Sequence, residues 1–563
     1  QRWFTTFAIG LPGPTSLLTI FQTFLDGHLK NFVEEVQATS SGIIRVALEL
    51  HKQVSKTFRK SAANFHYEFN IRHLSNVFQG LLVSQPDEFQ TAEKFVHLWL
   101  HESERVYGDR LVSYEHLTQY NAIAQGQSKR GFPNFNITRF FATEAADPLV
   151  FCHFADNIQD KCYDQIMSIS NMSIILEDAL REYNELNSIM DLVLFEDAMK
   201  HIARISRIIL NEGGHALLVG VGGMGKKSLS NLAAYICAYT VRQIVISSTY
   251  GINDLKDDLK WMYNKAGLKD EGVMFLLTDS QITNERFLIF INDLLASGNI
   301  PDLFAVDEVD TIVGAVTNRV KATGVVPDKK SCWDWFINQI RKNLHVVLAF
   351  SPVGDDFKNR ARKFPALVNC TVIDFFQDWP EEALYRVGQQ YMGPLDFGTD
   401  PAIRNGIEKF LPFSFKTVSA EAVEFKKKER RFVYMTPKSY LELLKLYMEM
   451  LESKRVESDT AINRLDNGLK RLRDTSEAVV KIEENLKVSL EDADVKKTTA
   501  EGIAEVVSKE KAIVEVETAK AQEESEKVAV IQKSVMKEQK DVSEDLAKAE
   551  PAVVAAMAAL DSL

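Results

Sequence analysis

The residues with the clearest chemical potential form one short loop, Gly220-Val-Gly-Gly-Met-Gly-Lys-Lys-Ser228. An apolar run at 216–219, typical of a buried strand, precedes the loop, and apolar residues at helical spacing follow it over 229–239. Glycines between a strand and a helix let successive backbone N–H groups face an anion, and the helix N-terminus adds the positive end of its dipole. The order therefore predicts a phosphate-binding loop. We expect nucleotide contacts from Gly220, Gly222, Gly223, Met224, Gly225, Lys226, Lys227 and Ser228.

Within this loop Lys226 is expected to reach the β- and γ-phosphates, but the next residue departs from the usual motif. A Ser or Thr hydroxyl normally follows the lysine and coordinates Mg²⁺, whereas this chain has Lys227. Ser228 comes one residue later, about 100° further round the helix, so its hydroxyl does not simply take over that place. The loop predicts binding of ATP or ADP, with Mg²⁺ less firmly held.

A second motif ends at Asp279, the last residue of the apolar run 272–279. In nucleotide-hydrolysing proteins with this loop, such an Asp holds Mg²⁺ and a following acid orients the attacking water. Ser280 stands in that following position, and a hydroxyl is not basic enough to replace a carboxylate. Asp279 and Ser228 are thus the candidate metal ligands, at a site that we expect to hydrolyse nucleotide slowly or not at all.

Apolar and polar residues on neighbouring segments are candidates for further nucleotide contacts. Val193 and Leu194 belong to a strand predicted at 191–195, where apolar side chains form either an adenine pocket or ordinary core packing. Ser351, at the end of a strand predicted at 345–352, is placed to sense the γ-phosphate.

Two basic residues stand at the beginning of predicted helices. Lys438 begins the helix 436–444, and Arg72 begins another after an extended piece. Arg72 would contact a phosphate held by a preceding core, or it is an ordinary surface arginine. Arg360, Arg362 and Lys363 form a third basic group: one of them acts in trans on a neighbouring site, or all are solvated helix charges.

The elements that must position these residues predict an α/β core with helices around it. Five strands separated by helical patterns surround the loop, at 216–219, 243–246, 272–279, 345–352 and 372–375. Helices at 252–266 and 284–296 and an insertion at 298–326 lie between them, and helices at 381–391, 402–411 and 436–444 predict a lid.

The N-terminal part reads as the end of another α/β domain. A strand is predicted at 3–9, followed only by helices, at 17–28, 41–58, 74–82 and 99–110. Residues 113–159 are mixed in character and contain turn residues at 126–133, which predict a loop within a linker.

From residue 441 onward glycine nearly disappears and charged residues dominate. Apolar residues recur three and four apart, which is the pattern of a coiled-coil strand with some phase slips. About 100 residues of helix would extend for roughly 150 Å, and Pro551 predicts a kink. The pattern includes Ile462, Leu465, Leu469, Leu472, Val479, Ile482, Leu486, Val528, Ile531, Val535, Val542 and Leu546.

Net charge, the length of apolar runs and cysteine spacing limit the classes of partner and the compartment. The net charge of −12 argues against nucleic acid, which requires a basic face, and no apolar run has transmembrane length. The five cysteines have no metal-ligand or paired spacing, which indicates a reducing compartment. Because the chain begins at Gln1 within an element, we expect it to be part of a longer protein.

Several segments together resemble the dynein heavy chains of cilia and flagella. The resemblance rests on 217–229, 275–281, 292–298 with 300–303, 361–370 and 549–560, and covers most of residues 190–563. It implies an α/β P-loop AAA+ core with helical lid subdomains, followed by a long coiled-coil strand. Residues 1–150 would end the third AAA+ module, with Arg72 in its second-sensor position. Residues 160–390 would be the core of the fourth module, 391–450 its lid and 451–563 the first stalk strand.

The resemblance also implies a function and partners. It implies a microtubule motor ATPase of the axoneme, in which this module is a regulatory nucleotide holder beside the other AAA+ modules of the same chain. Further implied partners are a second stalk strand beyond Leu563, microtubules through the stalk tip, and dynein intermediate and light chains, with no nucleic acid and no membrane. The arginine finger is not assigned: Arg2 lies near its expected place for one module, and Asn369-Cys370 stands there in the other.

Two other classes of protein stay open from the residues alone. A stand-alone ATPase with a coil, like the structural-maintenance-of-chromosomes proteins, would place its second motif after the coil, whereas Asp279 precedes it. A structural scaffold with a vestigial phosphate loop and a coiled-coil arm is the other alternative, and it predicts no bound nucleotide after purification.

Overall fold

The computed structural model of the chain describes residues 3–8, 10, 12–141, 147–190, 192–247, 249–398, 400–514, 533–537 and 539. The chain divides into two compact units, Gln1–Leu444 and Lys445–Leu563. The first unit contains an N-terminal group of helices and a parallel α/β core, and the second is helical where it is described.

The N-terminal helices pack around a common apolar core that includes Phe21, Leu50, Trp99 and Tyr120. Polar caps begin several of them: the Asn70, Thr91 and Ser113 side chains each accept a backbone N–H of the first helical turn. The helices are α1 (Pro14–Leu29), α2 (Glu34–Gln37), α3 (Ser40–Thr57), α4 (Ile71–Leu81), α5 (Ala92–Ser103), continued by a π-helical turn at Glu104–Gly108, and α6 (Tyr114–Gly131).

A short antiparallel pair, β1 (Phe151–Cys152) and β2 (Asp164–Gln165), separates these helices from the α/β core. The core sheet is parallel, with the strand order β4-β5-β6-β3-β7. Its central strands are buried on both faces, which explains their continuous apolar sequences. The strands are β3 (Ala216–Val219), β4 (Thr240–Gln243), β5 (Val273–Thr278), β6 (Leu344–Phe350) and β7 (Val372–Phe375).

Helices cover the sheet and continue beyond it. They are α7 (Ile169–Leu186), α8 (Glu196–Leu210), α9 (Lys226–Ile236), α10 (Ile252–Tyr263) with a π-helical turn at Asn264–Leu268, α11 (Phe287–Ser297), α12 (Val306–Ala322), α13 (Lys329–Asn343), α14 (Asp356–Lys363), α15 (Ala366–Asn369), α16 (Glu381–Met392), α17 (Pro401–Glu429) and α18 (Pro437–Val514). The predicted α/β core with interleaved helices and helical lids is confirmed.

Two predicted strands are wrong. Residues 3–8 form no strand, and Trp3, Phe4 and Phe7 are more than three-quarters exposed, because no described strand pairs with them; Ile9 lies outside the described residues. Residues 192–195 also form no strand, and Asp191 lies outside the described residues. Val193 and Phe195 are buried by side-chain packing instead, with the Phe195 ring 4.7 Å from that of Trp379.

Three further boundaries differ from prediction. The turn residues at 126–133 do not form a loop, because residues up to Gly131 belong to α6, which buries Tyr120, Ala124 and Ser128 against the other N-terminal helices. The predicted insertion at 298–326 contains the helix α12. Strand β4 ends at Gln243 rather than beginning there, since its register is set by pairing of Thr240 with Val273 of β5.

In the second unit, residues 445–514 are helical. The apolar residues that predict a coiled coil between Ile462 and Leu486 are about half exposed, so they form a solvent-facing stripe within this unit. Val535 is also exposed. The predicted pattern at Val528, Ile531, Val542 and Leu546, the kink at Pro551, the segment 549–560 and Arg2 lie outside the described residues. No helix in the described part of the chain is long and apolar enough for a membrane span.

Candidate nucleotide-binding site

The glycine loop begins where β3 ends, and the sheet fixes its first residue. The Gly220 N–H donates to the Phe350 carbonyl (3.0 Å) and so continues the pairing of β3 with β6. A Cβ at Gly220 would lie 2.7 Å from Cβ of Phe376, which leaves room for glycine alone. The loop ends at Gly225, which has a φ of +83° and directly precedes α9. A left-handed residue at this place favours glycine, so the sequence motif reflects backbone geometry.

The middle of the loop is closed on one side and open on the other. Gly223 has a φ of +86°, and a Cβ there would lie 2.4 Å from Cβ of Lys438, so the start of α18 packs directly against the loop. A Cβ at Gly222 would meet no atom within 4 Å. The loop therefore keeps an open backbone surface at Gly222 of the kind that binds phosphate.

Lys226 is buried within the loop that it completes. Its Nζ donates to the carbonyls of Gly220 (2.6 Å) and Val221 (2.9 Å). Burial lowers the pKa of Lys226 to about 8, although the nearby Asp279 carboxylate acts in the opposite direction. An anion beside Lys226 would stabilise its charged form, so the lysine is poised to gain from phosphate binding.

A cavity of about 530 Å³ lies in front of the loop, within the range of small-molecule sites. Four charged residues line it: Lys226, Lys227, Lys438 and Asp279. Met224, Ser228, Ser280 and Ser351 also line the cavity. Apolar and aromatic side chains contribute as well: Leu192, Val193, Phe195, Trp379 and, from α6, Tyr114 and Leu117.

Asp279 follows β5 directly and has partners on both carboxylate oxygens. Oδ2 accepts the backbone N–H of Ser351, and Oδ1 lies 3.4 Å from Nη1 of Arg360. Burial raises the pKa of Asp279, while the Ser351 N–H, Arg360 and Lys226 act to lower it. Arg360 therefore pairs with Asp279 of the same core and is not a solvated helix charge. Arg362 is exposed, and Nζ of Lys363 lies 2.6 Å from Oε2 of Glu285.

The position after Asp279 carries no acid. Ser280 is exposed and its hydroxyl lies 3.1 Å from that of Thr278. Glu285, the next carboxylate along the chain, is paired with Lys363. The site thus shows the predicted lack of a water-orienting carboxylate at this position.

The other candidates divide between this cavity and a second one. Val193 and Ser351 line the first cavity, but Leu194 is half-buried and does not, and Leu192 lines it instead. Arg72 lies elsewhere: its Nη1 donates to the Asn369 carbonyl (2.7 Å), beside a second cavity of about 420 Å³. Arg72 is therefore brought to Asn369-Cys370, where the sequence left an arginine finger unassigned.

The contribution of α6 to the nucleotide cavity was missed from the sequence. Tyr114 and Leu117 line the cavity from a segment predicted as a linker. The only signal available was the polar residue Ser113 followed by helix-forming residues, which marks a helix start.

A buried network of charges joins the N-terminal helices to the core beside this cavity. Arg204 of α8 pairs with Asp374 of β7 (Nη1 to Oδ1, 3.0 Å) and with Asp109 (Nε to Oδ1, 3.2 Å). The His201 Nδ1 lies 2.6 Å from Oδ2 of Asp374. The His201 ring stacks on Phe376 at 3.8 Å, next to Gly220. The loop and the preceding helices therefore share one packed boundary.

The residues fit a nucleotide better than they fit Mg²⁺. The open loop at Gly222 and the lysines suit a polyphosphate. Among the described residues no group of three His, Cys, Asp or Glu side chains is placed to hold a metal ion. Lys227 stands where a P-loop usually has the hydroxyl that coordinates Mg²⁺. The Asp279 carboxylate is already paired with Arg360 and the Ser351 N–H.

Comparison with protein families and curated proteins agrees with this architecture. Residues 190–450 match the family model of the P-loop containing dynein motor region D4. Residues 43–140 match an AAA+ lid domain, and residues 463–563 match the microtubule-binding stalk of dynein motor.

Similar curated proteins include three dynein heavy chains. The dynein alpha chain of the flagellar outer arm of Chlamydomonas reinhardtii is 48% identical over 89% of this chain and 11% of its own length. The ciliary dynein beta chain of Tripneustes gratilla is 44% identical over 100% of this chain and 12% of its own. Human dynein axonemal heavy chain 17 is 43% identical over 100% of this chain and 13% of its own length. The chain thus spans about an eighth of these relatives, and it belongs to the axonemal dynein heavy chain family.

Proposed function

We propose that this chain is the part of a ciliary or flagellar microtubule motor in which an AAA+ module holds ATP or ADP and transmits its state to the stalk. The observation that carries the proposal is the intact loop in front of an open cavity. Gly222 leaves the backbone accessible, and Lys226, Lys227 and Lys438 line the cavity. Lysine ammonium groups and inward N–H groups are the usual phosphate ligands of such loops.

The module's role is regulatory, with slow or absent hydrolysis. Phosphoryl transfer depends on positioning and charge stabilisation, and a residue that orients the attacking water is one of its recurring parts. Here Ser280 follows Asp279, and Lys227 stands where a metal-binding hydroxyl is usual. A nucleotide held here acts as a structural ligand that fixes the arrangement of loop, α6 and α18.

The whole motor supplies the remaining parts of this function. In the proposed motor, other AAA+ modules of the same chain would surround this one, and the stalk would lead to microtubules. The stripe between Ile462 and Leu486 would be covered by a second stalk strand beyond Leu563. Intermediate and light chains would complete the assembly in the axoneme. Arg72, beside Asn369, would contact nucleotide of the preceding module rather than that of this one.

Nucleotide binding is tested by Lys226→Ala in the 563-residue chain, with calorimetric titration of ADP and ATP. Loss of a charged phosphate partner should weaken binding at least about tenfold. Lys329→Ala is the matched control, because Lys329 is exposed, pairs with Asp310 and lies outside the cavity. Unchanged affinity in Lys226→Ala would contradict the assignment of the loop.

A structural scaffold is the second candidate, and one observation favours it. The Nζ of Lys226 is satisfied by two carbonyls of its own loop, so the loop is stable as it stands. A chain that is folded, carries no nucleotide after purification and shows no binding of ADP or ATP would support the scaffold.

A further inference from the structure

We propose that this site holds its nucleotide without a bound Mg²⁺. Side-chain cations supply the positive charge of the metal, Lys227 replaces its usual hydroxyl ligand, and Arg360 pairs with its usual carboxylate ligand, Asp279. The inference rests on the proposed nucleotide binding and specifies the ligand as free ATP or ADP rather than the magnesium complex. Two features carry it, one at Asp279 and one at Lys227.

At Asp279 the carboxylate is already balanced by a cation of the protein. Arg360 lies 3.4 Å from Oδ1, and the Ser351 N–H is bound to Oδ2. Arg360 does not line the cavity, so it pairs with Asp279 without filling the space open to a ligand. A divalent cation approaching Asp279 would meet an already neutralised carboxylate.

Arg360 is held in this position by its surroundings. Its side chain is only 14% exposed, and its guanidinium carbon lies 6.0 Å from the centre of the Phe350 ring, at the end of β6. The neighbouring basic residues of α14 behave differently, since Arg362 is exposed and Lys363 pairs with Glu285. Among these three, Arg360 alone is directed to Asp279.

The second feature is Lys227, which stands where a P-loop usually has the hydroxyl that coordinates Mg²⁺ directly. Lys227 is exposed, lines the cavity and forms no ion pair with any residue in the described ranges. Its ammonium group has donors but no lone pair, so it binds phosphate and not a metal ion. Lys226 and Lys438 also line the cavity, where Nζ of Lys226 donates to two loop carbonyls and Nζ of Lys438 lies 3.5 Å from Oε1 of Glu442. Together with Lys227, these ammonium groups offer the phosphates positive charge that Mg²⁺ otherwise supplies.

The test compares nucleotide affinity with and without magnesium in the 563-residue chain. Calorimetric titrations of ADP and ATP are made in excess MgCl₂ and in excess EDTA. For the parent chain the two affinities should agree within about threefold, which is under 1 kcal/mol. The double variant Lys227→Thr/Arg360→Gln restores a hydroxyl ligand and frees Asp279, so it should bind at least about tenfold more tightly with magnesium.

Arg362→Gln is the matched control, because it removes an exposed arginine two residues along the same helix and should behave as the parent does. Lys227→Thr alone leaves the Asp279–Arg360 pair intact and should also gain magnesium dependence, so it keeps the test valid should the double variant not fold. Electron paramagnetic resonance with Mn²⁺ gives a second readout: a protein-bound signal is expected in the double variant and not in the parent.

The inference would be overturned by a parent chain that binds nucleotide only with magnesium, by a bound Mn²⁺ signal in the parent, or by folded variants as insensitive to magnesium as the parent. A parent chain that binds no nucleotide in either buffer would instead contradict the proposed function, and the inference with it. The two failures are therefore distinguishable.

Discussion

Two charged regions lie where the N-terminal helices meet the α/β core, and they differ in how their charges are balanced. In the sealed region, Glu102 of α5 is fully buried and receives Nε of Arg207 at Oε1 (3.0 Å), with a second bond from Nη2 to Oε2. The Tyr163 hydroxyl donates to the same Oε1 (2.5 Å). In the open region, Lys226, Lys227 and Lys438 line a cavity together with Asp279, which pairs with Arg360.

The difference indicates what each region is for. A buried charge must find its partner within the protein, because desolvation is costly. The sealed region meets this requirement, and even Gly80 is needed to make room, since a Cβ there would lie 1.8 Å from Oε2 of Glu102. In the open region Lys227 lines the cavity and forms no ion pair among the described residues, so its charge is available to a ligand. The contrast supports a structural role for the sealed region and the proposed nucleotide binding for the open one.

The largest effect is expected from Glu102→Ala in the sealed region. This change leaves the Arg207 guanidinium buried without its carboxylate, which should lower the free energy of unfolding by about 3–5 kcal/mol. Chemical denaturation measures the loss. Nucleotide affinity of the folded fraction should stay nearly constant, because Glu102 does not line the nucleotide cavity.

Glu115→Ala serves as the comparison, since Glu115 is exposed in the first turn of α6 and should change stability by less than about 0.5 kcal/mol. If Glu102→Ala cost no more than this control, the two regions would not differ in the way that their burial indicates.

In the open region, Lys227→Thr combined with Ser280→Glu should raise nucleotide turnover. The pair restores a metal-binding hydroxyl and a water-orienting carboxylate, and groups that act on the transition state are each worth about a hundredfold or more. The measurement is the rate of phosphate release by the 563-residue chain. The triple variant Lys226→Ala/Lys227→Thr/Ser280→Glu gives the background rate. Fast turnover in the parent chain would refute the regulatory role.

Gly223→Ala should have a moderate effect on both stability and nucleotide binding. The residue has a φ of +86°, and its new Cβ would lie 2.4 Å from Cβ of Lys438. We expect a loss of about 1–3 kcal/mol in stability, with weaker nucleotide binding. Gly222→Ala is the matched change, because its Cβ meets no atom within 4 Å and should leave stability almost unaltered. Equal losses in the two variants would show that the contact with α18 is unimportant.

Local sequence patterns predicted what depends on local geometry. The bounds of β3 and β7, the glycine loop between β3 and α9, and the apolar stripe of α18 follow from short apolar runs, glycines and helical spacing. The family resemblance supplied the larger arrangement of lid, core and stalk. Lys227 and Ser280 could be recognised from the sequence, because each is a single residue that differs from the usual nucleotide-binding motif around it.

What the sequence did not predict depends on contacts between distant segments. The helix α6 was missed because its glycines suggested turns, while packing against other helices stabilises it. The strand at 192–195 was wrong because alternating burial arises from packing on Trp379 without any pairing. The pairing of Arg360 with Asp279 joins residues far apart in sequence, and no local pattern marks it.

The smallest effect concerns the pH dependence of nucleotide binding in the open region. Burial lowers the pKa of Lys226 from its ordinary value to about 8. In the free chain Lys226 therefore loses its proton as the pH rises through about 8, whereas a bound phosphate favours the charged form. Affinity for ADP should thus be highest below the lowered pKa and fall by up to about tenfold between roughly pH 7 and 9, since each pH unit above the pKa costs a factor of ten.

Lys226→Arg separates this cause from others, because a guanidinium keeps its charge over the whole range. Binding by Lys226→Arg is expected to be weaker, since the geometry of the loop suits an ammonium group, but it should be nearly constant with pH. In the sealed region Arg207 also stays charged between pH 7 and 9, so its titration does not contribute to the measured pH dependence. A parent chain whose affinity does not change between pH 7 and 9 would show that Lys226 remains charged in the empty loop, and the two carbonyls of Gly220 and Val221 would then be its sufficient partners.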